Sequence, residues 1–400
     1  MASKSQEFKR GWSVLLACFV GIGVSLVSLI YYSGGIWVKP WQEEFGWTRA
    51  EIGLGQGLGT VAIVLGAPLA GALIDRYGLR RMASLSLILY GLGIYLISTM
   101  SGGLWMFYVM FFLMSLAALP STPLGFTRAV NAWFDQNRGL ALGISLTSTG
   151  VGGFLIPKLL TPYVAVHGWR SGFVVLATMV LVAVPIVYLL VRNEPDIVDA
   201  QDNATPEDQE GISLRAASKM RSFWMLAVIF FFIAVAVLGL IPSFIPLLQD
   251  AGMDAAQAGG LAAYLGLSVV VGRLATGWLI DRIFAPYVLF GVFVFVALGC
   301  LALGLGGVSY ALLGAIALGL AVGAEVDLIG YFTAKYYGMK HYGSIYGVMY
   351  SIFSLGAIIS PVVAGAIWDH HGNYNLALYL AAGLVATAAV MALALPKFNT

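Results

Sequence analysis

The sequence predicts an all-α membrane protein of twelve spanning helices arranged as two pseudo-symmetric six-helix bundles. Three observations predict it. The 400 residues are 60% hydrophobic and only 10% charged, with a mean hydropathy of +0.89. Soluble domains usually carry about 25% charged residues, so this chain lacks the polar surface to cover itself with water. Apolar runs of bilayer-spanning length follow one another along the chain. Finally, motifs of the first half return 204 to 206 positions later.

The apolar runs of the first half fall at roughly 12–36, 50–73, 83–101, 104–126, 138–162 and 170–191. Basic MASKSQEFKRGW leads into the first run with no small-residue cleavage pattern, so it reads as a retained helix and not a signal peptide. It carries Tyr31 and Tyr32 beside Ser33, Gly34 and Gly35, where the phenols line a cavity or sit as interfacial aromatics. The second run closes on GALIDR at 71–76. Pro120 and Pro123 break the fourth, which frees Ser121 and Thr122 for a ligand or marks an ordinary kink. The fifth opens at Arg138 and is glycine-rich, with Thr147 and Thr149 beside the glycines.

The one long polar stretch, 193–221, is rich in Asp, Glu and Pro and divides the chain into an N-terminal bundle (1–192) and a C-terminal bundle (222–400). The second set of runs falls at roughly 222–248, 256–280, 287–306, 308–333, 343–368 and 374–395. The eighth helix overall carries Arg273 mid-span, and the tenth carries Glu325 and Asp327 in GAEVDLIGYF. Charged groups inside a span are costly and mark function by default. The eleventh shows Tyr346, Tyr350 and Phe353 on one face, as packing or as a cavity wall.

With the N terminus inside, Lys and Arg crowd the inner segments, among them Lys4, Lys9, Arg10, Arg76, Arg80, Arg81, Arg138, Arg192, Arg282 and Lys335. The outer loops carry only Lys39, Arg49, Lys158 and Arg170, so both termini and the central loop are placed in the cytoplasm. Cys18 and Cys300 lie in separate apolar runs and form neither a disulfide framework nor a metal spacing. No metal or cofactor is expected, no basic patch points to nucleic acid, and no phosphate loop or nucleophile arrangement points to an enzyme. The bilayer is the expected partner, and the chain is expected to work as a monomer.

GALIDR at 71–76 recurs as GWLIDR at 277–282, and RGLALGISLTSTGVGGFLIP at 138–157 recurs as YGSIYGVMYSIFSLGAIISP at 342–361. HGWR at 167 and HGNY at 371 keep the offset. GALIDRYGLRRM resembles the G-x-x-x-D-R-x-G-R-R loop of the major facilitator superfamily, and the resemblance spans essentially the whole chain. It implies a transporter. Asp75 stands where it can cap a helix or bind arginines, and with Arg76, Arg80, Arg81 and Arg138 forms the expected cytoplasmic latch. Asp281 and Arg282 repeat it without the trailing arginines, as a weaker copy.

NAWFDQNRGLALGISLTSTGVGG at 131–153 is similar to the entry of helix five in the monocarboxylate porter and oxalate/formate antiporter families. FGWTRAEI at 45–52, after the long first helix, is also similar to them. The likeness implies transport of small organic anions and places Arg273 where those families bind the substrate carboxylate. A guanidinium suits that task, because it stays charged and offers a planar fork. Monocarboxylate transporters commonly carry an Asp one turn before this arginine, where this chain has Val269. A lysine deep in helix one and a second cation in helix eleven are also missing, and one buried cation favours a monoanion.

Arg273 and Glu325 lie at similar depth, about 12 and 15 Å from the inner surface at 1.5 Å per residue. Glu325 and Asp327 are about 200° apart around a helix, so at most one meets Arg273 and the other turns into packing. The expectation is a proton-coupled symporter of lactate- or pyruvate-like monocarboxylates in a bacterial-type plasma membrane. Arg273 would bind the carboxylate, helped by Tyr31, Tyr32, Ser121, Thr122 and Tyr350, and Glu325 or Asp327 would take the proton. The alternatives are an anion exchanger, a carrier of aromatic carboxylates, or a drug or cation efflux pump in which the acids bind the cargo.

Overall fold

Mean hydropathy this high leaves one economical way to satisfy backbone polar groups, hydrogen bonding within helices. The computed structural model, which describes residues 4–134, 138–191, 211–280, 282–338 and 341–398, is accordingly helical. Among these residues the only extended pairing is one bridge between Gly211 and Gly338. In chain order the helices are α1 (Lys4–Gly23), α2 (Tyr32–Phe45), α3 (Arg49–Tyr77), α4 (Leu79–Ser98), α5 (Leu104–Ala118), α6 (Pro123–Trp133), α7 (Arg138–His167) and α8 (Trp169–Leu190). After the linker come α9 (Leu214–Ala217), α10 (Arg221–Val237), α11 (Leu240–Asp250), α12 (Ala255–Ile280), α13 (Ala285–Gly306), α14 (Ala311–Tyr337), α15 (Tyr342–His371) and α16 (Asn375–Leu393).

Among the described residues, eleven helical stretches are long and apolar enough to cross a membrane. One of them, Ala285–Tyr337, is 53 residues long. It comprises α13 and α14, which pack against each other through a short 3₁₀ turn entered at Gly307 with φ +59°. The count of twelve rests on that division. The first spanning run is not continuous either. It breaks after Gly23 and re-forms as a π-helical turn over Val27–Tyr31, with the Ser28 hydroxyl donating to the Ile22 carbonyl at 2.7 Å. The run expected over 222–248 is likewise divided between α10 and α11. The Gly239 N–H donates to the Ser360 hydroxyl (2.6 Å), which itself donates to the Val235 carbonyl (2.6 Å).

The chain forms two units. The first comprises Met1–Trp47, Leu58–Ala200 and Ala255–Gly266; the second comprises Thr48–Gly57, Gln201–Asp254 and Leu267–Thr400. In the first, α4 packs on α8 and α1 on α7; in the second, α13 packs on α16 and α10 on α15. The sequence repeat is therefore a repeat of helix pairs. Each unit thus also holds the first turns of one long helix whose remainder belongs to the other.

The first unit is sealed by an aromatic cluster around Trp41, which meets Trp47, Phe107, Phe111, Trp169 and Phe173. Beside it the Glu44 carboxylate accepts from Trp169 Nε1 (2.6 Å) and from Arg170 (2.7 Å). In the second unit the residues before α10 dock on the end of α14 through the Ile212 N–H and the Tyr337 carbonyl, 3.0 Å apart.

Candidate functional site

Two glycines bring Arg273 and Glu325 together. A Cβ on Gly323 of α14 would fall within 3.0 Å of the Val269 carbonyl and the Arg273 amide of α12, and one on Gly272 would meet Leu320 at 3.0 Å. Only hydrogen at both positions lets the two helices touch backbone to backbone, as small residues permit in lipid. Arg273 is the next residue after one glycine, and Glu325 follows the other by two. Glu325 is 2% exposed and Arg273 is half-buried. The two interact electrostatically. Glu325 Oε2 has no hydrogen-bond partner, so the carboxylate keeps an open acceptor in the interior.

The wall beside this pair is aromatic. Tyr342, Tyr346, Tyr350 and Phe353 form a continuous ladder on α15, with ring centroids 5.6, 5.9 and 5.9 Å apart. Tyr350 lies within electrostatic range of Glu325. Gly330, on α14, clears the Tyr342 hydroxyl, which would lie 2.9 Å from a Cβ there. The Tyr331 hydroxyl donates across to the Ile280 carbonyl at 3.5 Å. The side chain of Asp327 lies outside the described residues, as do those of Asp75 and Arg138 and the whole of Asp281.

The remaining substrate-site candidates belong to the first unit. Tyr31 and Tyr32 stand edge to face, 5.7 Å apart, at the junction of the π turn and α2. Tyr32 is 6% exposed and its ring backs onto Gly153 of α7, whereas Tyr31 is half-buried. Ser121 and Thr122 occupy the proline break between α5 and α6. Their hydroxyls donate to the Ala118 (2.8 Å) and Leu119 (2.7 Å) carbonyls that the break releases. Ser121 also accepts from Ser86 at 3.0 Å. Their hydrogens are committed to the broken turn, which leaves only lone pairs for a ligand.

Of the latch residues, Arg80 is held by α8, donating to the Tyr188 carbonyl at 2.6 Å with its guanidinium 4.2 Å from the Tyr188 ring centroid. Arg76 lies over Tyr77 at 5.2 Å, and Arg81 is exposed. Arg282 folds back on its own helix, donating to the Trp278 carbonyl at 3.1 Å.

By sequence, Arg49 reads only as a basic residue of an outer loop. In the structure it is 4% exposed at the start of α3 and sits among α11, α15 and Tyr374 of the second unit. Its guanidinium takes Asp250 with both nitrogens, at 2.7 and 3.1 Å. It also donates to the Tyr374 hydroxyl at 2.8 Å and stacks 3.6 Å from the Trp368 ring centroid. Asp369 accepts the N–H groups of Arg49 (2.9 Å) and Ala50 (2.8 Å), capping α3 from another helix. Partners 201 to 325 positions away leave no local signal for such a residue.

Known proteins bear on this arrangement. Residues 13–349 match the family model described as Major Facilitator Superfamily. The chain is similar to "Monocarboxylate transporter 11" of Mus musculus, at 24% identity over 97% of this chain and 88% of that one. Among solved structures it is similar to a mutant of the nucleoside transporter NupG, with a TM-score of 0.76 and 14% identity over 96% of this chain and 99% of that one. It is also similar to a D-xylose-proton symporter, with a TM-score of 0.75 and 12% identity over 95% and 97%. Those likenesses carry the fold, and the family match carries the membership. The chain, a multi-pass helical membrane protein, belongs to the Major Facilitator Superfamily of transporters.

Proposed function

We propose that this chain moves small monocarboxylates across a bacterial-type plasma membrane by alternating access, coupled to protons. Arg273 holds the substrate carboxylate, and Glu325 or Asp327 carries the proton. The chain acts as a monomer with both termini in the cytoplasm. The observation that carries the reading is that buried Glu325 lies within electrostatic range of Arg273 across the Gly272–Gly323 crossing. An arginine near a carboxylate favours its ionised form against the cost of burial, and a substrate carboxylate arriving on the guanidinium withdraws that support. The acid then binds a proton, so substrate and proton travel together through competition for one cation. The monocarboxylate transporter among the relatives and the proton symporter among the structural neighbours agree with this reading.

A second reading, aromatic carboxylates as cargo, is favoured by the ladder from Tyr342 to Phe353, whose third ring lies beside Glu325. Uptake of labelled lactate and labelled benzoate into proteoliposomes, with and without an inward proton gradient, separates the two. Arg273→Ala should reduce gradient-driven uptake of the true substrate at least about tenfold, since a charge-assisted hydrogen bond contributes about 1.5–3 kcal/mol. Uptake unchanged by Arg273→Ala would leave the anion site without its cation and overturn both readings. Cation export by that variant would then favour efflux.

A further inference from the structure

We infer that Arg49 is a gate residue. It locks the outer end of α3 into the second unit, and its release is the step that opens this face of the transporter. The first turns of α3 are zipped to α15 through glycine. A Cβ on Gly53 or Gly57 would fall within 3.0 Å of the carbonyls of Pro361 and Ile358, and one on Gly365 within 3.0 Å of the Arg49 carbonyl. Residues 48–57 are therefore part of the second unit while the rest of the same helix is part of the first. The repeat builds a second copy of this seam in the first unit. Gly259 of α12 meets the Pro157 carbonyl of α7, and Gly266 meets Gly153. Gly53 and Gly259 are equivalent by the 206-residue offset, and Pro157 and Pro361 by the 204-residue offset.

The charged lock is where the two copies differ. Position 255, equivalent to 49, is Ala. Glu44, equivalent to Asp250, is taken up by Arg170 of α8. A glycine seam therefore forms with an alanine in that place, so the guanidinium is an addition to the packing. Its partners suit a lock that opens. Asp250 keeps 24% of its side chain exposed and Asp369 is exposed, so both carboxylates are rehydrated when Arg49 leaves. Arg49 itself, 3% exposed in the side chain, has its fork on Asp250, its face on Trp368 and an N–H on Tyr374. It gives up all three together, which makes the contact two-state and not graded.

The inference does not depend on which solute is carried, and its test reads conformation directly. Single reporter cysteines are placed at Ile52, 1% exposed on the zipped segment, and at exposed Ser344, near the opposite end of α15. Ser344 lies about 25 Å along that helix from Pro361, at 1.5 Å per residue. The native Cys18 and Cys300 are buried, and the protein without a reporter serves as blank. Full-length protein in lipid nanodiscs, open to reagent on both faces, is labelled with a bulky charged maleimide. Arg49→Gln and Asp250→Asn should each speed labelling at position 52 about tenfold or more and slow it at position 344, because the two faces of an alternating transporter open in turn. Arg49→Lys, which keeps charge but loses the fork and the stack, should fall between. Faster labelling at both positions would mean general loosening, a structural role only, and would overturn the inference. So would rates at position 52 unchanged in both variants.

Discussion

Glu325 is a carboxylate that water does not reach, with one oxygen left open and one arginine for company. Burying such a group costs several kcal/mol unless it is paired, so its retention in a helix otherwise made of small and apolar residues points to use. Glu325→Gln keeps the shape and removes the ionisation. The folded protein should lose little stability, within about 1 kcal/mol by thermal unfolding in detergent, because the cost of burying the charge offsets what it gains from Arg273. Uptake should persist by exchange yet no longer respond to a proton gradient. Gradient-driven uptake at the parent level would move the proton to another group, Asp327 first. The residue types at 273 and 325 were legible in the sequence because charge stands out in an apolar run. Matching depth along the two helices already pointed one acid at Arg273, but which acid was not legible, since it depends on which faces of α12 and α14 meet. Arg49 marks the opposite limit. An arginine in an outer loop is ordinary, and only the fold reveals Asp250, Trp368, Asp369 and Tyr374 around it.

Helix identity and order were readable from hydropathy, and the offsets of 204 and 206 residues foretold that α7 and α15 would match end for end, at 30 residues each. Even the HGW and HGN turns agree, with Gly168 at φ +81° and Gly372 at φ +69°, a conformation that glycine adopts without strain. What hydropathy misses are the breaks. The π turn at Val27–Tyr31 and the interruption at Gly239 are held by serine hydroxyls taking up backbone groups, and an apolar window does not register them. The crossing of α12 and α14 is the element on which the proposed site stands. Gly323→Ala puts a methyl against the Val269 carbonyl, and helices held by overpacking shift apart at a cost of about 1–3 kcal/mol. Uptake should fall about tenfold or more while the protein still elutes as a folded species. Gly314→Ala, whose Cβ would meet the flexible side chain of Leu303, should stay near the parent level. Equal behaviour of the two would separate the crossing from transport.

At the scale of the whole molecule, the repeat supplies the same device twice, with a glycine of one long helix laid on the carbonyl of a proline in another. The pairs are Gly53 on Pro361 and Gly259 on Pro157, and each brings the first turns of a helix into a unit to which its remainder does not belong. If closure of both seams is part of the transport cycle, neither copy tolerates a side chain. Gly53→Val and Gly259→Val each force branched carbons into a space that lacks room for one, at a cost of about 1–3 kcal/mol to the closed seam. That lowers the closed-to-open ratio by a factor of about 5 to 160. Both variants should insert and fold, because opening the seam leaves the helix pairs of each unit intact, and both should lose uptake about tenfold or more. A cysteine at Ile52 then tells the copies apart, since only Gly53→Val loosens the seam that covers it and speeds its labelling. Uptake at the parent level in either variant would show that its seam is packing without a part in the cycle, and the paired glycines would belong to assembly instead of movement.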